Sequence, residues 1–279
     1  MSRLRAAAEL IRLSDVVLIA LLVVVGGAVV IRAVTLEAIF AAVSTASIAA
    51  GGYAINDWHD VEIDRINKPQ RPIPSGRIHR TEALAIALIF QMAGISVGLL
   101  LNVVGFAFIG VAILLVNLYS FRLRSLPLVG NVTTAGLLTM GFLIGGVASG
   151  ARLDLWTLPA VVFLGNLARE MIKDIEDIPG DRQHQVRTLA VLFGPHCMAV
   201  TAALLFVGAT ALLFDPSLIT SFSTSYLWLN LLVITPMSLI LVVRVGRSRR
   251  ASAAWARGWS KAIFGMMLVA VLCGMVRLN

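Results

Sequence analysis

The chain reads Asn56-Asp57-Trp58-His59-Asp60-Val61-Glu62-Ile63-Asp64 and, much later, Asp174-Ile175-Glu176-Asp177-Ile178-Pro179-Gly180-Asp181. Adding 117 to positions 57, 60 and 64 gives 174, 177 and 181, so one D-x-x-D-x-x-x-D pattern occurs twice in a chain holding only 15 acids. On a helix, residues three and seven apart share nearly one face, so each set is expected to form an acidic ridge. Two facing ridges would repel and raise their own pKa values unless cations lay between them. Carboxylates with one Asn amide make a hard, all-oxygen donor set of the kind that holds Mg²⁺ together with substrate phosphates. The plainer reading, solvated acids at membrane ends, does not account for the constant offset or for the basic segment after each set.

That segment is Arg65-Ile66-Asn67-Lys68-Pro69-Gln70-Arg71-Pro72-Ile73-Pro74-Ser75-Gly76. Its prolines and glycine break any helix and predict a rigid loop, which would hold Lys68 and Arg71 beside the acids. Acids followed by fixed cations suit a metal-bound polyphosphate whose outer oxygens still need partners. The alternative is that Lys68 and Arg71 serve membrane topology alone.

The surrounding chain is apolar: 58% of its 279 residues are hydrophobic, 14% are charged, and the mean hydropathy is +0.90. So much apolar surface excludes an ordinary soluble domain and predicts lipid as the solvent. Nine spans are expected, near 14–32, 36–55, 82–101, 103–121, 128–150, 153–172, 188–212, 226–245 and 260–278. With an odd count, all basic residues except Arg32, Arg152 and Arg277 fall on one side, which the positive-inside rule makes cytoplasmic. That side carries the N-terminus and both acidic segments, including active-site loops at about 56–80 and 173–187. The expected fold is thus all-α: a single transmembrane domain over 1–279, nine helices, in a cell membrane. Because the acids follow spans two and six, a four-helix internal repeat is expected.

The net charge of +8 follows from this topology and calls for no nucleic-acid partner. Arg3 and Arg5 ahead of an apolar run imitate a signal peptide, but eight further spans favour a retained helix. Cys197 and Cys273 offer neither a disulfide framework nor a metal spacing. Nothing calls for an obligate protein partner. Ser14-Asp15 reads as an N-cap pair for span one, and Gly51-Gly52 as a close-packing point. Gln91, Asn102 and Asn117 are interhelical polar candidates. Tyr119 reads as an interfacial anchor or, with Arg122 or Arg124, as a diphosphate contact. Residues 166, 169, 170, 173, 174, 177 and 181 share one helical stripe, where Lys173 is the candidate for phosphate. Arg247, Arg249 and Arg250 read as topology and lipid-surface charge.

These motifs resemble the paired acidic motifs of the UbiA superfamily of intramembrane prenyltransferases, over nearly the whole length. The resemblance implies that two Mg²⁺ hold an isoprenyl diphosphate, its tail in an apolar tunnel. Within the superfamily, Glu62 to Pro69 with Arg71 to Gly76 resembles chlorophyll synthases and archaeal digeranylgeranylglyceryl phosphate synthases. Arg169 to Asp177 with Gly180-Asp181 is similar to the archaeal branch alone. Arg124 stands where many relatives carry Lys.

The resemblance implies geranylgeranyl transfer from its diphosphate to a hydroxyl of geranylgeranylglyceryl phosphate, with Asp60, Asp64, Asp177 and Asp181 catalytic. Asn56, Asp57, Asp60, Asp64, Asp174, Asp177 and Asp181 would bind metal. Lys68, Arg71, Tyr119, Arg122, Arg124 and Lys173 would meet phosphate. An aromatic acceptor, as in 4-hydroxybenzoate polyprenyltransferases of quinone synthesis, and a transporter of a polyphosphate ligand are the alternatives.

Overall fold

The computed structural model describes residues 3–150, 156–246 and 250–275, and among these every regular element is helical. In chain order these are α1 (Arg3–Leu10), α2 (Leu13–Ile31), α3 (Leu36–His59), α4 (Val61–Asn67), α5 (Arg80–Gly98), α6 (Val103–Phe121) and α7 (Val129–Ala148). Then come α8 (Thr157–Gln183), α9 (Leu189–Leu212), α10 (Pro216–Ser221), α11 (Thr224–Leu229), α12 (Thr235–Gly246) and α13 (Arg250–Met275). Arg152, Arg247, Arg249 and Arg277, with the Arg250 side chain, lie outside the described residues, and so does their expected topological role.

Among the described residues, eight helices are long and apolar enough to cross a bilayer, one of them Thr224–Val245, in which a π-helical turn, Asn230–Ile234, joins α11 to α12. The remaining expected span, 153–172, falls on α8 from Thr157 onward. That helix carries Arg169, Glu170, Lys173 and the second acidic set, so it lacks the apolar window of the others. The described structure therefore supports eight apolar spans and one polar helix rather than nine equivalent spans. Nor do the two acidic sets share one backbone form, so the four-helix repeat is seen in sequence spacing alone.

The chain falls into two compact units. The first comprises Met1–Leu126, Met140–Arg152 and Pro179–Gln185, and α3 is its most enclosed span, 67% of its apolar window being buried against 22% for α6. The reason lies in its side chains: Ala41, Ala42, Ser44, Ala46, Ala50, Gly51 and Ala54 let neighbours approach to backbone distance. A Cβ on Gly51 would lie 2.6 Å from Ala87 O, one on Gly94 would lie 2.9 Å from Ser44 O, and Ser44 Oγ donates to Gly94 O at 2.7 Å. The expected Gly51-Gly52 contact is thus a seam with α5 at Gly51, while Gly52 faces Val116 of α6. Gly26 and Gly145 make a similar seam between α2 and the second half of α7. Gln91 and Asn117 exchange amide hydrogen bonds at 3.3 Å, and Asn102 caps α6 through Gly105 N. Side chains that turn away, such as Leu88, Ile89, Leu100 and Leu114, are exposed and apolar, as lipid requires.

The second unit comprises Pro127–Thr139, Leu153–Ile178 and Val186–Asn279. Gly194 at φ +82° and Pro195 kink α9, since proline cannot continue the hydrogen-bond ladder. Tyr226, 1% exposed, donates to Leu213 O at 2.9 Å, and Trp259 Nε1 donates to Met237 O at 2.9 Å.

Ser14-Asp15 does not cap α2. The helix begins one residue earlier, with Arg12 at the cap in a left-handed conformation, φ 51° and ψ 54°, and Asp15 in the first turn. Gly51→Ala is expected to destabilise the protein by about 1–3 kcal/mol through overpacking. Gly136→Ala, where a Cβ meets nothing within 4 Å, should leave stability unchanged or raised. Thermal unfolding of both variants in detergent checks the pair.

Candidate active site

The first acidic set does not lie on one continuous helix. Asp57 is in the last turn of α3, Asp60 is the break at φ −90° and ψ 13°, and Asp64 is on α4. Asp60 N still donates to Asn56 O and Asp64 N to Asp60 O, both at 2.9 Å, so the bend costs few backbone hydrogen bonds. The three carboxylates are 2%, 3% and 2% exposed, a placement that demands compensating positive charge.

Arginines supply it. Asp57 Oδ1 accepts from Arg12 Nη2 at 2.8 Å and from Arg71 Nη1 at 3.0 Å. Arg71 Nη1 also donates to Asp64 Oδ2 at 2.5 Å, so one guanidinium bridges two acids. Arg124, in a 3₁₀ turn at Leu123–Ser125, pairs with Asp60, while Arg122 caps α6 and is exposed. Of the two cations after Tyr119, the structure therefore brings Arg124 to the acids. Tyr119 is half-buried. Lys68 is buried close enough to Asp64 to lower its pKa, yet burial outweighs both Lys68 and Arg71 and pushes the Asp64 carboxyl above the ordinary carboxylate range.

The loop after α4 is rigid, as its prolines require. Ser75 Oγ donates to Arg71 O at 2.7 Å, and Arg77 reaches Ser75 Oγ at 3.0 Å and Gln70 O at 2.5 Å. Gly76 turns the chain at φ +73°.

Residues 173–187, expected as a loop, are helical to Gln183, because α8 continues through Pro179. Asn67 Oδ1 accepts from Gly180 N at 2.8 Å, and a Cβ on Gly180 would lie 2.5 Å from Asn67 Nδ2, so only glycine fits this latch. Asp181, 2% exposed, follows directly and belongs to the same unit as the first set.

In the second unit, Asp174 Oδ2 accepts from Asn131 Nδ2 at 2.7 Å, Lys173 Nζ donates to Glu170 Oε2 at 2.8 Å, and Asp177 is 4% exposed. Arg257 approaches Glu176 at 3.5 Å.

Among the described residues no three His, Cys, Asp or Glu side chains stand together as a metal cage. The acids of the first set are instead held within an ion-pair network, since unscreened buried carboxylates would repel. The donors of the first unit nonetheless fit a hard divalent cation: Asp57, Asp60, Asp64 and Asp181 carry buried carboxylate oxygens, the donor type such an ion takes. Sequence reading missed Arg12, Asn67 and Asn131. Asn67 stands three residues after Asp64, but nothing in the sequence marked Asn131, or Arg12 beyond its charge.

The sequence profile of the UbiA prenyltransferase family matches residues 15–271. With its multi-pass helical fold, the chain belongs to this family, which makes it an intramembrane prenyltransferase. It is similar to the digeranylgeranylglyceryl phosphate synthase of Ignicoccus hospitalis, 42% identical over 72% of this chain and 68% of that one. It is also similar to the enzyme of that name from Sulfurisphaera tokodaii, 34% identical over 92% and 93% of the two chains. A structure from a study of the biosynthesis of digeranylgeranylglyceryl phosphate synthase in membranes is 27% identical, with TM-score 0.74 and full coverage of both chains. A UbiA homologue from Archaeoglobus fulgidus bound to GPP and Mg²⁺ shares the fold at TM-score 0.70 and 17% identity, over 95% of this chain and 99% of that one.

Asp57→Asn leaves two guanidinium groups facing a neutral amide and should cost roughly 3–5 kcal/mol, the scale of breaking a buried pair. Arg65→Ala, whose pair with Glu62 is 61% exposed on both sides, should cost at most about 1 kcal/mol. Chemical unfolding in micelles distinguishes the two.

Proposed function

We propose that this enzyme transfers a geranylgeranyl group from geranylgeranyl diphosphate to a hydroxyl of geranylgeranylglyceryl phosphate, forming an ether of the archaeal membrane-lipid type. The observation that carries this reading is the match, over nine-tenths of both chains, to a digeranylgeranylglyceryl phosphate synthase. The buried carboxylates beside a rigid basic loop are the chemistry such a donor needs. The active-site segments and the N-terminus face the cytoplasm in this reading, supported by the charge asymmetry of the loops.

Asn56, Asp57, Asp60, Asp64, Asp174, Asp177 and Asp181 are the proposed Mg²⁺ ligands, Asp57 carrying the weakest case because its Oδ1 already serves two arginines. Bound Mg²⁺ would supply neutralisation of the diphosphate charge. Lys68, Arg71, Tyr119, Arg122, Arg124 and Lys173 are the proposed phosphate contacts. Of these, Lys68, Arg71 and Arg124 are supported by their closeness to the first acidic set.

The catalytic requirement is that the allylic C–O bond breaks with its electron pair leaving on the diphosphate. Cations held in a poorly solvated site stabilise that developing charge more than the ground state. The delocalised carbocation left behind must meet the acceptor before water. Apolar spans around the site exclude water, and the acceptor hydroxyl oxygen then closes the ether bond and gives up its proton.

Purified protein incubated with geranylgeranyl diphosphate, Mg²⁺ and either geranylgeranylglyceryl phosphate or 4-hydroxybenzoate is expected to yield only the lipid ether by mass spectrometry. Asp60→Asn and Asp177→Asn should each lower turnover by at least about 10³-fold, and excess chelator should abolish it. A prenylated aromatic product would reassign the acceptor, and a bound polyphosphate released unchanged would reject the enzyme reading.

A further inference from the structure

The acidic motifs and the Pro-rich loop account for the phosphate chemistry, but they leave unexplained a set of contacts made by residues ahead of position 15, where the family match begins. Helix α1 is amphipathic. Ala6 and Leu10, 2% and 0% exposed, belong to one apolar cluster with Ala54 and Ile55 of α3 and with Ile73 and Ile78 of the loop. Its polar side grips the same loop: Glu9 Oε2 lies 2.5 Å from Arg77 Nη1, and Arg77 in turn holds Gln70 O and Ser75 Oγ.

At the end of α1 the chain turns through Arg12, whose guanidinium stacks 4.6 Å from the Tyr53 ring centroid and donates to Asp57. A non-glycine residue keeps positive φ only where its surroundings over-determine it. Here the ring, the carboxylate and the packing of α1 do so together. Arg12 therefore fixes Asp57, Asp57 fixes Arg71, and α1 fixes the loop on which Arg71 and Lys68 are carried.

We infer that α1 and Arg12 form a positioning clamp for the diphosphate end of the site, a role neither the motifs nor the charge asymmetry assigns to them. Arg12 and Glu9 are positioning residues acting through Asp57–Arg71 and through Arg77. This rests on the reading that the loop after α4 binds diphosphate. The clamp acts on the donor alone, so its loss should raise the KM for the prenyl diphosphate and leave that for the acceptor in place.

The test uses full-length protein in detergent with Mg²⁺, comparing wild type, Arg12→Gln, Arg12→Lys, Glu9→Gln and the exposed control Arg65→Gln. Two readouts are taken: KM for each substrate, and thermal protection by Mg²⁺ with inorganic pyrophosphate, which needs neither turnover nor acceptor. The expected result is a donor KM raised about tenfold or more in Arg12→Gln and severalfold in Glu9→Gln, with acceptor KM and control unchanged and partial recovery in Arg12→Lys. Pyrophosphate protection should need correspondingly higher concentrations. If Arg12→Gln does not fold, Glu9→Gln, whose partly exposed carboxylate lies outside the acidic network, carries the comparison. Donor KM and protection equal to wild type in Glu9→Gln, and in Arg12→Gln where it folds, overturn the clamp. Wild type left unprotected by pyrophosphate overturns the diphosphate reading and the clamp with it. An aromatic product overturns only the acceptor, and a raised donor KM in Arg12→Gln with that acceptor still supports the clamp.

Discussion

Burying several carboxylates at the end of an apolar helix is tolerable only if positive charge is buried with them. This compensation governs the first unit. Asp57, Asp60 and Asp64 lie in a medium that screens poorly, so each is within reach of a guanidinium or ammonium group. The requirement explains why a proline-stiffened loop follows α4, why Arg124 sits in a tight turn after α6, and why Arg12 adopts a backbone form that costs about 1–2 kcal/mol. A flexible loop would have to be ordered anew each time the acids met their ligand.

The same compensation suits catalysis of an ionising reaction. Groups already oriented and desolvated need no rearrangement when negative charge appears on the leaving group, and their effect is larger than it would be in water. Binding and stability are coupled at this site: the arginines that hold the acids together in the described structure belong to the same network as the cations proposed to meet phosphate.

Much of this was legible in the sequence because long apolar runs and repeated acids are strong local signals. The small residues of α3 announced close packing, and Pro69, Pro72 and Pro74 announced a rigid loop. The break at Asp60 was not legible, since no glycine or proline marks it and its backbone hydrogen bonds are nearly helical. The continuation of α8 through Pro179 ran against proline's usual effect, and its latch to Asn67 spans 113 residues. Arg12 was read as topological charge because its partner, Asp57, is 45 residues away and no periodicity links them. Local chemistry was readable; pairings that depend on tertiary approach were not.

The seams of the first unit also bear on where a long isoprenoid can lie. Where α3 meets α5, Gly51 and Gly94 bring main chains so close that even a single added carbon would collide, and Gly26 with Gly145 does the same between α2 and α7. A methylene chain several ångströms thick cannot thread either gap. A hydrocarbon chain lying in the first unit would therefore not pass between these helices, and enlarging side chains at the two glycine contacts would leave the accepted chain length unchanged.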